Sequence, residues 1–274
     1  MPEFVSPEYL EPEHLARLEL GADPFGDPDG DCFLNPMLRG LETALLNAIT
    51  GRQILALVGP IGAGKNVLIR RLYARVAGER RIQLIMPHTI DRRGITANTL
   101  AVAILRDMLG QDTTGLGAEQ RAELLRRTLV DAQAAKLFPA LVIDEAHKLS
   151  PAALVACKQL WDAGLLHRQL AVILVGQPEL GARLAKDPAV RELGGRTRVL
   201  EVRKYSAADT AAYLRWRFAR VDAEADKVFA ADAYAALAAR GEHPLAINSF
   251  AVRAIVYALS VGDRQVTATH VGRA

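Results

Sequence analysis

A glycine-rich run ending in a single lysine is the first place where residue types and spacing imply chemistry. Gly59-Pro60-Ile61-Gly62-Ala63-Gly64-Lys65-Asn66 lies between an apolar run and a helical pattern that opens at Val67. Glycines let consecutive backbone N–H groups turn inward towards phosphate oxygens. The N-terminus of the following helix adds the positive end of its dipole, and Lys65 would reach the β- and γ-phosphates of a nucleotide. The spacing is that of a P-loop, G-x-x-x-x-G-K-[ST], except at its last position. There Asn66 replaces the hydroxyl that ordinarily ligates Mg²⁺. Its side-chain carbonyl could still face the ion, on a longer arm, so ATP binding is expected to persist and hydrolysis to be slow.

A second run supplies acids. Leu141-Val142-Ile143-Asp144-Glu145-Ala146-His147 is an apolar strand ending in two carboxylates. At the carboxyl edge of a sheet, Asp144 would hold Mg²⁺ directly or through water, and Glu145 would polarise an attacking water. A strand that merely ends in solvent-facing acids is common, and the pairing with the upstream loop is what gives the motif weight. Asp-Glu-Ala-His also occurs in helicases, but those need two motor domains and the length here accommodates one. The next apolar run passes into Gly176-Gln177-Pro178-Glu179-Leu180. Gln177 would stand between the chemistry of its neighbouring strands, within reach of a γ-phosphate or a water; otherwise it is an ordinary polar turn residue.

These groups need a scaffold. Strand candidates are residues 53–58, 82–86, 140–143, 171–175 and 197–202, separated by amphipathic stretches at 67–76, 99–109, 119–135 and 152–163. Short apolar strands alternating with helices predict an α/β fold, a parallel sheet covered on both faces. Before them, residues 1–40 are rich in Pro, Gly, Asp and Glu and form a turn-laden lead-in to a helix holding Leu41, Ala44, Leu45 and Ile49. After Tyr205 the strands stop. Ser206-Ala207-Ala208-Asp209 resembles a capping box opening a helix through Phe218, and helical patterns follow at 230–239 and 247–259. The expected division is a lead-in of 1–40, a nucleotide-binding domain of 41–205 and a helical lid of 206–274.

Composition narrows the class. Of 274 residues, 50% are hydrophobic and 24% charged, which suits a packed core rather than disorder. No segment approaches the roughly 18 consecutive apolar residues of a membrane span. The acidic start, Met1-Pro2-Glu3-Phe4, lacks the pattern of a signal peptide. Cys32 and Cys157 are far apart and read as reduced thiols, and the histidines are dispersed. A cytoplasmic protein with no membrane partner is expected. The net charge of +3 means that any nucleic-acid contact must come from a local basic surface.

The order of these motifs, with Pro24-Phe25 and Phe33-Leu34 upstream of the phosphate loop, resembles the AAA+ group that contains ExeA, TniB, TnsC and MuB, over about residues 24–260. The resemblance implies a P-loop NTPase core with a five-stranded parallel sheet flanked by helices, plus a small C-terminal all-helical lid. It also implies ATP bound between subunits of a ring or helical filament, with a neighbour's arginine completing each site. In Arg191-Glu192-Leu193-Gly194-Gly195-Arg196-Thr197-Arg198 the favoured candidate is Arg196; the alternative is that these arginines are only solvated. Similar proteins carry an arginine after the lid proline, where Gly241-Glu242-His243-Pro244-Leu245-Ala246-Ile247-Asn248 has Leu245. With Asn66, that is a second departure against fast turnover.

The resemblance also places DNA near the segment after the second strand. Arg92, Arg93 and Thr96 could contact phosphates of double-stranded DNA without sequence choice, the alternative being a solvated connector. Arg70, Arg71 and Arg75, on the helix beside the loop, read as solvated. The expected function is therefore an ATPase that assembles on DNA to regulate transposition and to recruit or activate a transposase. An ExeA-like secretion ATPase acting on protein partners is the alternative, as is a nucleotide-gated scaffold with little turnover. Secretion relatives carry a membrane segment and a cell-wall-binding module, for which the residues after Leu259 leave little room, so the DNA role is preferred.

Overall fold

A computed structural model describes residues 9–26, 32–87, 94–163 and 168–274. Two helices, α1 (Pro12–Arg17) and α2 (Pro36–Thr50), precede β1 (Ile54–Val58). Then come α3 (Lys65–Val76), β2 (Ile82–Ile85), α4 (Ala97–Leu109), α5 (Ala118–Ala134), β3 (Phe138–Ile143), α6 (Pro151–Asp162) and β4 (Ala171–Gly176). After α7 (Pro178–Lys186), the short α8 (Arg191–Gly194) and β5 (Thr197–Glu201), the chain is helical: α9 (Ala207–Ala219), α10 (Ala225–Val228), α11 (Ala231–Gly241), α12 (Pro244–Ser260) and α13 (Ala268–Arg273).

The chain divides into two compact units. One comprises Leu38–Pro60 and Lys65–Val202; the other comprises Met1–Met37, Ile61–Gly64 and Arg203–Ala274. The first is built on a five-stranded sheet of order β2-β3-β4-β1-β5, every neighbouring pair parallel. Parallel neighbours require crossovers, which the helices provide. β1 and β4 are buried at every position, as strands covered on both faces must be. β5 closes one edge and leaves Arg198 and Val199 exposed.

The core of this unit gathers Ile54, Leu141, Ile143, Leu154, Cys157, Val172 and Leu174. Each fully buried aliphatic side chain contributes about 1.5–3 kcal/mol relative to leaving it in water. Burial pushes the Cys157 thiol up to about 12, so it behaves as a small apolar group. α4 begins where the Thr96 hydroxyl accepts a hydrogen bond from the Thr99 N–H at 3.2 Å. It ends at Gly110, whose φ of 68° is left-handed.

The helical unit has its own core of Tyr213, Leu214, Phe218, Phe229, Leu237, Ile247 and Ile255. The box at Ser206 forms as its spacing implies: the Asp209 N–H donates to Ser206 Oγ, and the Ser206 N–H to Asp209 Oδ2, both at 3.1 Å. Phe25 meets the Phe218 ring edge-on at 5.9 Å, and Phe33 meets Tyr213 at 5.5 Å. The aromatic residues of the N-terminal segment thus help to build this core. Among the described residues, no helix is long and apolar enough to cross a membrane.

Two local features differ from the sequence pattern. Pro36, inside the segment 1–40 expected to be turn-laden, opens a helix, as does Pro178 after Gln177. Proline suits the first helical turn, where its missing N–H costs nothing. Arg71 and Arg75 are not simply solvated. They pair at 3.1 and 3.5 Å with the buried carboxylate of Glu42 on α2.

Candidate functional site

The strand order places β4 between β3 and β1. The carboxyl ends of these three strands therefore lie side by side, presenting Asp144, Gln177 and Gly59 in that order. The Gly59 N–H donates to the Gly176 carbonyl at 3.2 Å, tying the start of the glycine-rich run to the end of β4. Gly62 and Gly64 have φ of 78° and 92°, which other residues adopt only with strain. Gly62 is further constrained within its own unit. A Cβ there would fall 2.4 Å from the Cβ of Leu245, the residue after the proline that opens α12. In the loop, Ile61 and Asn66 are exposed, Pro60 and Val67 half-buried, and Ala63 fully buried.

Lys65, the first residue of α3, is only 7% exposed. Its Nζ donates to the carbonyl oxygens of Gly59 at 2.6 Å and Pro60 at 2.8 Å. Burial pushes its pKa down, while the nearby carboxylates of Glu145 and Asp144 push the other way. An ammonium has three N–H donors, and a phosphate oxygen bearing full charge would compete well against two neutral carbonyls.

Asp144 follows β3, and its Oδ1 accepts from the Glu145 N–H at 2.8 Å. Glu145 has a left-handed φ of 57°, a conformation that typically costs about 1–3 kcal/mol in a residue with a side chain. Its Oε2 lies 2.7 Å from Lys148 Nζ and 3.8 Å from His147 Nε2. The hydrogen bond from Lys148 is the main reason its carboxyl titrates below the usual carboxylate range. Gln177 caps the start of α7 and donates its backbone N–H towards His147 Nδ1 at 3.4 Å. Arg183 on α7 donates to the His147 and Leu149 carbonyls at 2.8 and 2.9 Å, fixing the turn that carries Glu145.

The structure thus brings Gly59, Lys65, Asp144, Glu145 and Gln177 to one edge of the sheet. It does not bring Arg196 there. Arg196 precedes β5, whose first residue, Thr197, pairs with Ile54 at the start of β1. The glycine-rich run leaves β1 at its other end, about 13 Å away at 3.3 Å per residue. Thr96 is an exposed helix cap. Arg92 and Arg93 lie outside the described residues. Lys148, His147 and Arg183 were not singled out by sequence. Only the spacing of Glu145 and Lys148, three residues apart, hinted at a pair, and it becomes one because a 3₁₀ turn follows Glu145.

A parallel sheet with a P-loop after an inner strand and paired acids at the end of another defines a P-loop nucleotide-binding fold of the AAA type. The model of the AAA domain family matches residues 48–184, half of the chain, and the chain belongs to that family. Among solved structures it is similar to Cdc6p from Pyrobaculum aerophilum, with 20% identity over 94% of this chain and 68% of that one, and a TM-score of 0.56. It is also similar to the Aeropyrum pernix ORC2 protein in ADPNP–ADP complexes (14% identity, 89% of this chain and 69% of that one, TM-score 0.53). A third likeness is to Drosophila ORC bound to DNA (16% identity, 95% of this chain, TM-score 0.57), of whose matched chain this one spans 64%. At such identities the likeness is one of fold. No curated protein matches the sequence.

Family membership implies nucleotide binding, and the residues present fit a triphosphate with its magnesium. Lys65 offers a buried cation whose partners within its own loop are neutral, and the space a side chain would take at Gly64 is open. Asp144 and the Asn66 carbonyl are the oxygen donors that could hold Mg²⁺.

Proposed function

We propose that this chain is an ATP-dependent, DNA-binding AAA regulator of transposition. It assembles as a homo-oligomer, ring or helical filament, on double-stranded DNA without sequence choice, and there recruits or activates a transposase. The observation that carries the nucleotide part is the placement of the glycine-rich run and Lys65 at the carboxyl end of β1, with Asp144 and Glu145 at the carboxyl end of β3 in the same sheet. The DNA and transposition part is supported by the motif resemblance of the β4–α7 turn, and by the fold likeness to an ORC structure described as bound to DNA.

In this assignment Lys65 and the main-chain N–H groups of the glycine-rich run beyond Pro60 would hold the phosphates, and Asp144 with Asn66 would hold Mg²⁺, which would neutralise phosphate charge. Bound ATP supplies the phosphoanhydride whose cleavage resets the assembly. Glu145 takes a proton from the attacking water as general base, and Gln177 positions that water or the γ-phosphate. Arg196, remote from its own loop, serves the site of the adjacent subunit. The proposed organisation remains a lead-in of 1–40, a nucleotide-binding domain of 41–205 and a lid of 206–274.

A gel shift on random-sequence duplex, with and without ATP and Mg²⁺ at low and raised salt, tests this. Binding that requires ATP and weakens with salt supports the proposal. Duplex binding that is absent under every condition would remove the DNA role and leave a secretion-type ATPase or a scaffold.

A further inference from the structure

At the opposite edge of the sheet, where the strands begin, a basic side chain stands before every strand. In sheet order these are Arg80 and Arg81 before β2, Lys136 before β3, Arg168 before β4, Arg52 before β1 and Arg196 before β5. Arg80, Arg81, Lys136, Arg168 and Arg196 are exposed. Among the described residues, none of the six lies within ion-pair distance of a carboxylate.

Contacts within this one unit tie the row together. The Phe138 N–H donates to the Arg81 carbonyl at 2.7 Å. The Arg52 guanidinium lies 4.9 Å over the Phe138 ring and donates to the Leu137 carbonyl at 3.2 Å. The Arg52 carbonyl in turn accepts from Trp161 Nε1 at 2.8 Å. Arg168 and Arg196 both lie over the Trp161 ring, at 4.3 and 5.8 Å from its centroid. Two aromatic rings thus hold three guanidinium groups in place without neutralising them. The nearby acids Asp162 and Glu192 are both engaged by Lys158, at 2.9 and 3.0 Å. Glu79 stands beside Arg80 and Asp131 lies in the last turn of α5, while Asp107, whose carbonyl accepts from the Gln83 side chain at the start of β2, is engaged by Arg106 at 3.6 Å.

We infer that this edge is a second DNA-backbone surface, distinct from the segment around Thr96; the inference rests on the DNA-binding proposal above. With Arg196 left to the neighbouring ATP site, the row from β2 to β1 spans three strand spacings, about 14 Å, comparable to about four base steps of duplex at about 3.4 Å each along one strand. Guanidinium groups match phosphate oxygens two donors at a time. A protein partner would need an apolar anchor at its centre. Trp161, at 2% exposure beneath its arginines, provides none. The exposed groups offer charge alone, which favours the evenly charged backbone of nucleic acid and binding without sequence choice.

The test uses the full chain with ATP and Mg²⁺, and fluorescence anisotropy of a labelled random-sequence duplex across a salt series. Arg196 is left intact because of its assigned role at the neighbouring ATP site. In the triple variant Arg81→Ser, Lys136→Ser, Arg168→Ser, affinity should fall roughly tenfold or more. The slope of log K against log salt should shrink by about 2–3, near 0.9 for each phosphate no longer neutralised. Affinity for a fluorescent ATP analogue should not change. Should the triple variant fail to fold, Arg168→Ser alone should reduce the slope by about 0.9, and Arg168→Lys should restore most of it. Unchanged affinity and slope in a folded variant overturn the inference and assign the edge to a protein partner. A wild-type chain that binds no duplex overturns the DNA-binding proposal as well.

Discussion

Lys65 Nζ lies 2.6 Å from the carbonyl oxygen of Gly59, so the ammonium of the phosphate loop is folded back on the loop's own backbone. Burial lowers the pKa of Lys65 below its ordinary value of 10.5, against the pull of Glu145 and Asp144. Between that lowered value and 10.5 the unfolded chain binds more protons than the folded one, so nucleotide-free stability gains from Lys65 as pH rises through the window. Nucleotide affinity should run the other way. As Lys65 loses its proton the phosphates lose their cation, and ATP affinity should fall at a lower pH than a solvent-exposed lysine would dictate. Calorimetric titration of ATP between neutral pH and the onset of alkaline unfolding measures this; constant affinity throughout would exclude a charged Lys65 from phosphate binding.

Glu145 is held by Lys148 at 2.7 Å. If Glu145 is the general base, Glu145→Gln should bind ATP normally and lose roughly 100-fold or more in turnover. Lys148→Ala should leave turnover near neutral pH largely intact but move the acid limb of the pH–rate profile upward, because the hydrogen bond that lowers the Glu145 pKa is gone. Steady-state phosphate release across pH reads both. An acid limb unmoved by Lys148→Ala would show that another group titrates there.

Asn66 is exposed on the first turn of α3, without the hydroxyl expected of a magnesium ligand. Asn66→Thr should raise the rate of hydrolysis several-fold with little change in ATP affinity. Single-turnover kinetics at saturating Mg²⁺ compare the two chains, and equal rates would show that Asn66 does not limit the chemistry.

The Glu42 carboxylate is buried on α2 and bridges to Arg71 and Arg75 on α3. Glu42→Ala should cost about 1–3 kcal/mol, the scale of a charged hydrogen bond removed from a buried site. Both arginines are half-exposed and can find water, which keeps the cost below that of a fully buried pair. Glu42→Gln should retain part of the bond to Arg71. Urea unfolding of the three chains provides the comparison, and an unchanged midpoint for Glu42→Ala would show that the bridge contributes nothing.

The sheet was legible from sequence because parallel strands buried on both faces leave continuous apolar runs. Residues 171–175, for example, fall inside a strand with no exposed position. The phosphate loop and the acidic strand end were legible because each needs fixed residue types within a few positions. The order β2-β3-β4-β1-β5 could not be read that way, since nothing in a strand's own sequence names its neighbours. Yet that order is what sets Gln177 between Asp144 and Gly59. Glu42 was hidden for the same reason: its partners are 29 residues or more further along the chain. Lys148 was hidden because it depends on the left-handed backbone of Glu145, a strained conformation that local propensity argues against. Apart from Arg196, the basic residues of the amino edge escaped notice individually, because each looks like an ordinary surface charge until the strands are laid side by side.

Equilibrium binding of a fluorescent ATP analogue with Mg²⁺, to the wild-type chain and to Lys65→Ala, is the most direct single test. The wild type should bind saturably, and Lys65→Ala should lose about 10–100-fold, the scale of one charge-assisted hydrogen bond at a buried site. A wild-type chain with no measurable affinity, or a Lys65→Ala chain that binds as tightly, would contradict the placement of a nucleotide at the carboxyl edge of β1.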